Sequence, residues 1–243
     1  MSPSELPPVP RLPTRQRQVR HGPRQRALSR EAIATAALEI VDREGLDALT
    51  MRTVAHSLGT GAASLYAHVA SKEELLELVI ERAIGEVMTP REPDPERWLE
   101  QVKEYARAIR IVFARHRDLA RASFARIPLG ENALRGTEWL ISALRAGGLG
   151  DQVIAFACDL LPLYVMAVCY EESLYSSETT PEEFDTFASD MRRYFASLPQ
   201  ERFPNVVSLA GPLTAGDGET RFEFGLEVLL RGLAAMPGTL VEE

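Results

Sequence analysis

The side chains in this sequence with the clearest chemical potential are arginines. Seven of them lie within residues 11–30, and no acid interrupts them. A guanidinium carries a rigid fork of N–H donors that matches the oxygens of a phosphate. The whole chain has a formal net charge of −8, which taken alone argues against a nucleic-acid partner. Its distribution reverses that impression. Residues 1–72 hold ten Lys/Arg against six Asp/Glu, a net of +4, so the rest of the chain carries −12. Such asymmetry points to a basic module facing an anionic polymer; a solvated tail is the plainer alternative.

Residues for turnover chemistry are missing as groups. The sequence has no Gly-rich phosphate loop, no paired Cys or His at metal-ligand spacing and no Gly-x-Ser-x-Gly elbow. Four scattered histidines and many isolated carboxylates form no constellation. The expectation is a non-enzyme without cofactor or metal. Cys158 and Cys169 fall in one expected helix, about 16 Å apart along its axis, too far to pair within it. They read as small buried hydrophobes in a reducing compartment, with an inter-subunit disulfide as the alternative. The longest apolar run, 160–170, is interrupted by Pro162 and falls short of the roughly 20 residues a bilayer requires. The N-terminal residues lack the apolar stretch of a secretion signal, so a cytoplasmic location is expected.

Helices must position whatever binds. Apolar content of 45% is enough for a sizeable core, and every strong period is helical. Residues 1–27, with five prolines among the first thirteen, read as a flexible basic arm. Ser29 can cap a helix that Gly45 ends. Thr50 caps a second over 51–58, stopped by Gly59, and a third spans about 62–68. Ser71 and Glu74 form a capping box for a fourth, beginning at Lys72. Longer helices are expected from Pro95 to about 115, then over 131–146, 152–174 and 181–197, with a short one over 118–126. A loop fills 199–218 before a last helix over 219–235. No alternating apolar run suggests a strand. The fold class is all-α: a helix-turn-helix domain at 28–72, then a larger helical domain at 73–243.

The second and third helices meet at Leu58-Gly59-Thr60-Gly61, the spacing of a helix-turn-helix, with Leu49, Val54, Leu58, Leu65 and Val69 as its apolar skeleton. Such a pair can set its second helix in a major groove. The stretch Leu49-Thr50-Met51-Arg52, Ala55, Leu58-Gly59, Ser64-Leu65-Tyr66-Ala67-His68-Val69 and Lys72 closely resembles the DNA-binding domain of the tetracycline-repressor (TetR) family. His116-Arg117-Asp118 and Phe222-Glu223-Phe224-Gly225-Leu226-Glu227 with Gly232-Leu233 resemble its C-terminal domain. The resemblance implies a homodimeric regulator that binds palindromic operator DNA and responds to a small molecule.

At the positions that match the family's motif, the resemblance implies roles. Arg52 reaches a base, where its fork suits guanine, or contacts a phosphate. Thr50 caps its helix and can donate to phosphate. Ser64, Tyr66, His68 and Lys72 contact the operator, mostly its backbone, although His68 reads equally as the residue closing the recognition helix. Gly61, Ala62 and Ala63 stand where larger polar residues are usual. Little of the recognition helix can read base edges beyond alanine against a thymine methyl. Arg15, Arg17, Arg20, Arg24 and Arg26 of the arm are then candidates for an adjacent minor groove or for phosphates.

The family's ligand-lining positions correspond to Met88, Tyr105, Ile109, Ser123 and Trp139, with Phe113 on the same helical face. Ser123 stands in place of the metal-binding histidine, Met88 in place of a second pocket histidine and Tyr105 in place of an asparagine. A Mg²⁺–tetracycline chelate loses its ligands there, and an apolar or aromatic effector suits the lining better. Phe222, Leu226, Leu229, Leu230 and Leu233 form one stripe on the last helix, expected to join helix 152–174 in a dimer bundle. The alternative is an architectural or partner-controlled DNA-binding factor with a filled C-terminal core and no effector.

Overall fold

The computed structural model describes residues 28–90, 92–116, 118–124, 126–176 and 180–236. The arginine arm lies outside them. Twelve α-helices and no strand occur among the described residues: α1 (Arg30–Glu44), α2 (Met51–Ser57), α3 (Ala62–Leu65), α4 (Lys72–Ile84), α5 (Trp98–Arg115), α6 (Leu119–Ser123), α7 (Glu131–Ala146), α8 (Asp151–Ser176), α9 (Pro181–Ser197), α10 (Pro204–Ser208), α11 (Ala210–Leu213) and α12 (Gly218–Ala234).

The first four helices begin and end on local signals. Ser29 Oγ accepts from Ala32 N, and α1 stops at Gly45, whose φ of +86° lies in the left-handed region. A 3₁₀ turn, Leu46–Ala48, leads to Thr50 and α2. Ser71 Oγ accepts from Glu74 N to open α4. Ile33, Ala37, Ile40 and Val41 of α1 are fully or nearly fully buried, as are Leu75, Val79 and Ile80 of α4. The two helices lie along each other, and α4 continues into contact with α5, α6 and α7.

In the larger part, α8 is the central element, packed by α5, α6, α7 and α12. By length and composition α8 could cross a membrane over Asp151–Leu174, more than the run 160–170 suggested. Its Val153, Ile154, Ala157, Leu161, Val165 and Cys169 are instead buried in the protein core, as befits the core helix of a globular fold. Pro162 sits on its exposed side, where the lost backbone hydrogen bond is accessible to water.

Three expectations of element placement change. The helix expected from Pro95 starts at Trp98, because the side chain of Gln101 bonds back to Asp94 N (2.8 Å) and Glu92 O (3.1 Å) and holds that segment as a turn. The third helix is a single turn. The Leu65 carbonyl accepts from both His68 N and Val69 N, and the resulting turn sends Val69 into the core, 0% exposed. The loop expected over 199–218 contains α10 and α11, which pack on α9. Proline at the first position of α10 presets its φ, and frequent Pro and Gly hid that short apolar pattern.

The stripe expected to form a dimer bundle is used within the protomer. Phe222, Leu226 and Leu230 are 1%, 0% and 0% exposed and Leu233 is buried, while Leu229 is partly buried against the same core. They face α8 of their own chain. Apolar side chains left exposed include Phe224 and Val228 on α12 and Phe156, Leu160, Leu163 and Leu174 on α8.

Candidate nucleic-acid interface and ligand site

The helix-turn-helix is locked from within. Thr50 Oγ1 accepts from Thr53 N at 3.1 Å, and Thr53 Oγ1 accepts from Thr50 N at 3.0 Å, so both hydroxyls are engaged in a capping box at the start of α2. Met51, Val54 and Ala55 point into the core, which leaves Arg52 and His56 exposed one turn apart. Gly59 makes the turn at φ +65°, and Leu65 anchors α3 at 0% exposure.

Ala63, Tyr66 and Lys72 are exposed, and Ala62, Ser64, His68 and Thr50 are half-buried, so every DNA-contact candidate reaches the surface. Among the described residues neither Arg52 nor Lys72 has a carboxylate within 4.0 Å. The one-turn α3 makes Ala62, Ala63 and Ser64 its exposed or half-exposed content, with Tyr66 and His68 in the turn that follows.

That turn has a polar anchor the sequence reading missed. Arg30 Nη1 donates to the His68 carbonyl at 2.5 Å and pairs with Glu74 Oε1 at 2.7 Å. Glu74 Oε2 accepts from Ala70 N at 2.6 Å. The capping-box spacing of Ser71 and Glu74 flagged half of this arrangement; Arg30, 38 residues from His68, gave no local sign. His56 was also overlooked, although its four-residue spacing from Arg52 places it on the same exposed side.

In the ligand domain, Tyr105, Ile109 and Phe113 follow one face of α5. Tyr105 and Phe113 are buried and Ile109 partly so. The Tyr105 and Trp139 rings meet at 4.9 Å between centroids, tilted by 51°. Tyr105 fits because α7 carries Gly136 opposite it: a Cβ there would sit 2.1 Å from the phenol oxygen. Burial pushes the Tyr105 phenol up from its ordinary value. Ser123, at the end of α6, has a buried Oγ with no hydrogen-bond partner among the described residues, and the neighbouring Phe124 stacks on Tyr170 of α8 at 5.6 Å. Met88 stands apart from this packed group, 82% exposed between α4 and α5.

Both cysteines are free. Burial raises the Cys158 thiol and pushes Cys169 up to about 12, with Glu172 adding to the shift, so neither carries thiolate character. Among the described residues no group of three or more His, Cys, Asp or Glu side chains is arranged to hold a metal ion.

Residues 33–79 match the family described as bacterial regulatory proteins, tetR family, and residues 92–237 match the tetracyclin repressor-like C-terminal domain. An HTH-type transcriptional regulator of Saccharopolyspora erythraea is 31% identical over 213 residues, covering 87% of this chain and 86% of the relative. The HTH-type transcriptional repressor DrrR1 of Streptomyces coeruleorubidus is 32% identical over 216 residues, covering 86% and 78%. The crystal structure of the TetR family protein ActR of Streptomyces coelicolor, in complex with actinorhodin, superposes with a TM-score of 0.80 at 46% identity, covering 87% of this chain and 97% of ActR. With both its domains matched and its fold shared, this chain belongs to the TetR family of helix-turn-helix transcriptional regulators.

Proposed function

We propose that the chain is a cytoplasmic, homodimeric repressor of palindromic operator DNA, released by a small apolar or aromatic effector. One observation carries the DNA-binding reading: Arg52 and Lys72 stand on the helix-turn-helix as exposed cations with no carboxylate within 4.0 Å among the described residues. Arg52 reads a base through its fork. Ser64, Tyr66, His68 and Lys72 hold phosphates, and Thr50 caps α2 at the backbone. Ala62 and Ala63 permit close approach to the groove and contact thymine methyls. The basic residues of 1–27 add phosphate or minor-groove contacts.

Dimerisation is supported by the apolar seam of Phe156, Leu160 and Leu163 on α8 beside Phe224 and Val228 on α12. Exposed apolar side chains at helical spacing on neighbouring helices suit burial against a second copy. The effector reading rests on Tyr105, Ile109, Phe113, Ser123 and Trp139, an aromatic lining with one unpaired hydroxyl. The actinorhodin complex of ActR, at 46% identity, supports the same reading. Met88, 82% exposed and apart from this group, belongs to the reading by its match to the family's ligand-lining position alone.

Selection from random duplex DNA with wild type beside Arg52→Ala tests the proposal. A palindromic motif whose base preference relaxes in the variant is expected. Enrichment of no motif by wild type would overturn the operator-binding reading.

A further inference from the structure

His116 closes α5 and is 8% exposed. Its Nδ1 lies 3.0 and 3.1 Å from the two carboxylate oxygens of Asp42 on α1. Its Nε2 lies 3.1 Å from Oε2 of Glu86, just beyond α4. The ring thus has a carboxylate at each nitrogen, one from α1 and one from the segment that follows α4.

The neighbouring charges reinforce the same junction. Arg82 Nη1 pairs with the other oxygen of Glu86 at 3.0 Å. Asp118, two residues beyond His116, accepts from Leu46 N at 3.0 Å through Oδ2. It holds φ at +59°, a conformation no other non-glycine among the described residues adopts and one kept only where surrounding contacts impose it. Arg121 lies 4.0 Å from Asp118 and 3.4 Å from Asp47. Asp42, Leu46 and Asp47 sit on the path from α1 into α2, the first helix of the helix-turn-helix. His116 and Asp118 sit between α5 and α6, which carry Tyr105, Ile109, Phe113 and Ser123.

His116 is buried while the Asp42 and Glu86 side chains keep 36% and 28% of their exposure, so these contacts add little net stability, yet removing the imidazole takes away the group that joins the two carboxylates. Such a cluster is better suited to setting geometry than to holding a fold together. We propose that His116 is a positioning residue for operator binding: through Asp42 and Glu86 it sets the orientation of the helix-turn-helix on the ligand domain. In a dimer that orientation determines the separation of the two recognition helices, and so the half-site spacing accepted. This role rests on the operator-binding reading above.

The test uses full-length wild type, His116→Gln and the milder Asp42→Asn. The probe is the duplex that wild type enriches from a random pool, and stoichiometric titration counts the binding-competent fraction of each preparation. Per competent molecule, both variants are expected to bind that duplex about tenfold more weakly, within the range of typical inter-site couplings. Selection with each variant should also broaden the spacing between half-sites. Unchanged affinity and spacing per competent molecule, with only a smaller competent fraction, would reduce His116 to a structural residue and overturn the proposal. A wild type that enriches nothing removes the operator-binding reading and this role with it, whereas unchanged variants beside a selective wild type remove this role alone.

Discussion

Arg107 on α5 and Glu223 on α12 meet as a two-pronged pair, Nε to Oε1 at 2.6 Å and Nη2 to Oε2 at 2.7 Å, across 116 residues of sequence. They form the middle rung of a ladder. Lys103 pairs with Glu227 on one side. On the other, Arg110 pairs with Glu219 at 2.7 Å and with Glu172 of α8 at 2.6 Å. Cations ascending α5 face acids descending α12, so the two helices run in opposite directions. The Arg110 guanidinium also lies 4.8 Å from the centroid of the Phe222 ring, which ties the ladder to the core under α12.

Both members of the middle rung remain about a third exposed (34% and 30%), so solvent screens the attraction. Arg107→Ala should cost about 1 kcal/mol, or about 2–4 °C in Tm for a chain of this size. The hydrogen bonds from Arg107 hold the Glu223 carboxyl below its usual range. A depressed carboxylate contributes stability that is complete above its unfolded value, about 4.3, and is lost as pH falls through its folded value. Thermal melts between pH 7 and 3 should therefore show wild type losing Tm faster than Glu223→Gln, the two converging at the acid end. Parallel curves would remove the pair from the acid response.

Gly136→Ala should destabilise the protein by about 1–3 kcal/mol through overpacking. The new methyl would sit 2.1 Å from the Tyr105 oxygen and 3.3 Å from Cζ, and the ring must shift against Trp139. Adding Tyr105→Phe should restore part of the loss in urea unfolding. Wild-type stability for the single variant would mean that α5 and α7 separate freely.

Ser123→Ala should leave the free protein as stable as wild type or slightly more so, since it removes a buried hydroxyl without a partner. The same variant should bind more weakly those aromatic compounds that stabilise wild type in a thermal-shift panel, where a ligand at 100 times its Kd adds about 2.7 kcal/mol. Mg²⁺–tetracycline should leave Tm unmoved. A large upward shift with that chelate would contradict the reading of Ser123 and Met88.

Phe224, 70% exposed on α12, tests the dimer. Phe224→Glu should convert micromolar protein from dimer to monomer in light scattering and abolish operator binding while the helical circular dichroism is kept. Phe222→Glu, aimed into the protomer's own core, should unfold the chain. A dimeric Phe224→Glu would move the interface elsewhere.

Gly59→Ala isolates backbone strain. Nothing lies within 4 Å of the added Cβ, yet φ is +65°, a conformation costing an L-residue about 1–2 kcal/mol. Reduced stability is expected in chemical denaturation, together with weaker DNA binding where the turn opens. A neutral effect would show that the turn has a second conformation.

The local parts of this protein are readable along the chain. Ser29, Thr50, Gly45, Gly59 and the Ser71–Glu74 spacing mark ends of helices because each satisfies a backbone group no more than four residues away, or supplies a dihedral that other residues resist. Arg52 and Lys72 were picked out differently, through the resemblance of their stretch to the DNA-binding domain of the tetracycline-repressor family. The segments that misled were those where a nearby side chain or carbonyl took over a backbone group, as Gln101 does before α5 and Leu65 O does after α3.

Whatever depends on which face meets which neighbour lay beyond that reading. The apolar stripe of α12 has the same helical period whether it meets α8 of its own protomer or a partner, and only the packing shows that Phe222 and Leu226 turn inward while Phe224 stays exposed. His116 meets Asp42 and Glu86 across 74 and 30 residues, and Arg107 meets Glu223 across 116. An ion pair needs its two charges within a few ångströms but sets no requirement on their separation along the chain. Periodicity and capping therefore specify the helices, and three-dimensional packing selects the pairs that join the helix-turn-helix to the domain behind it.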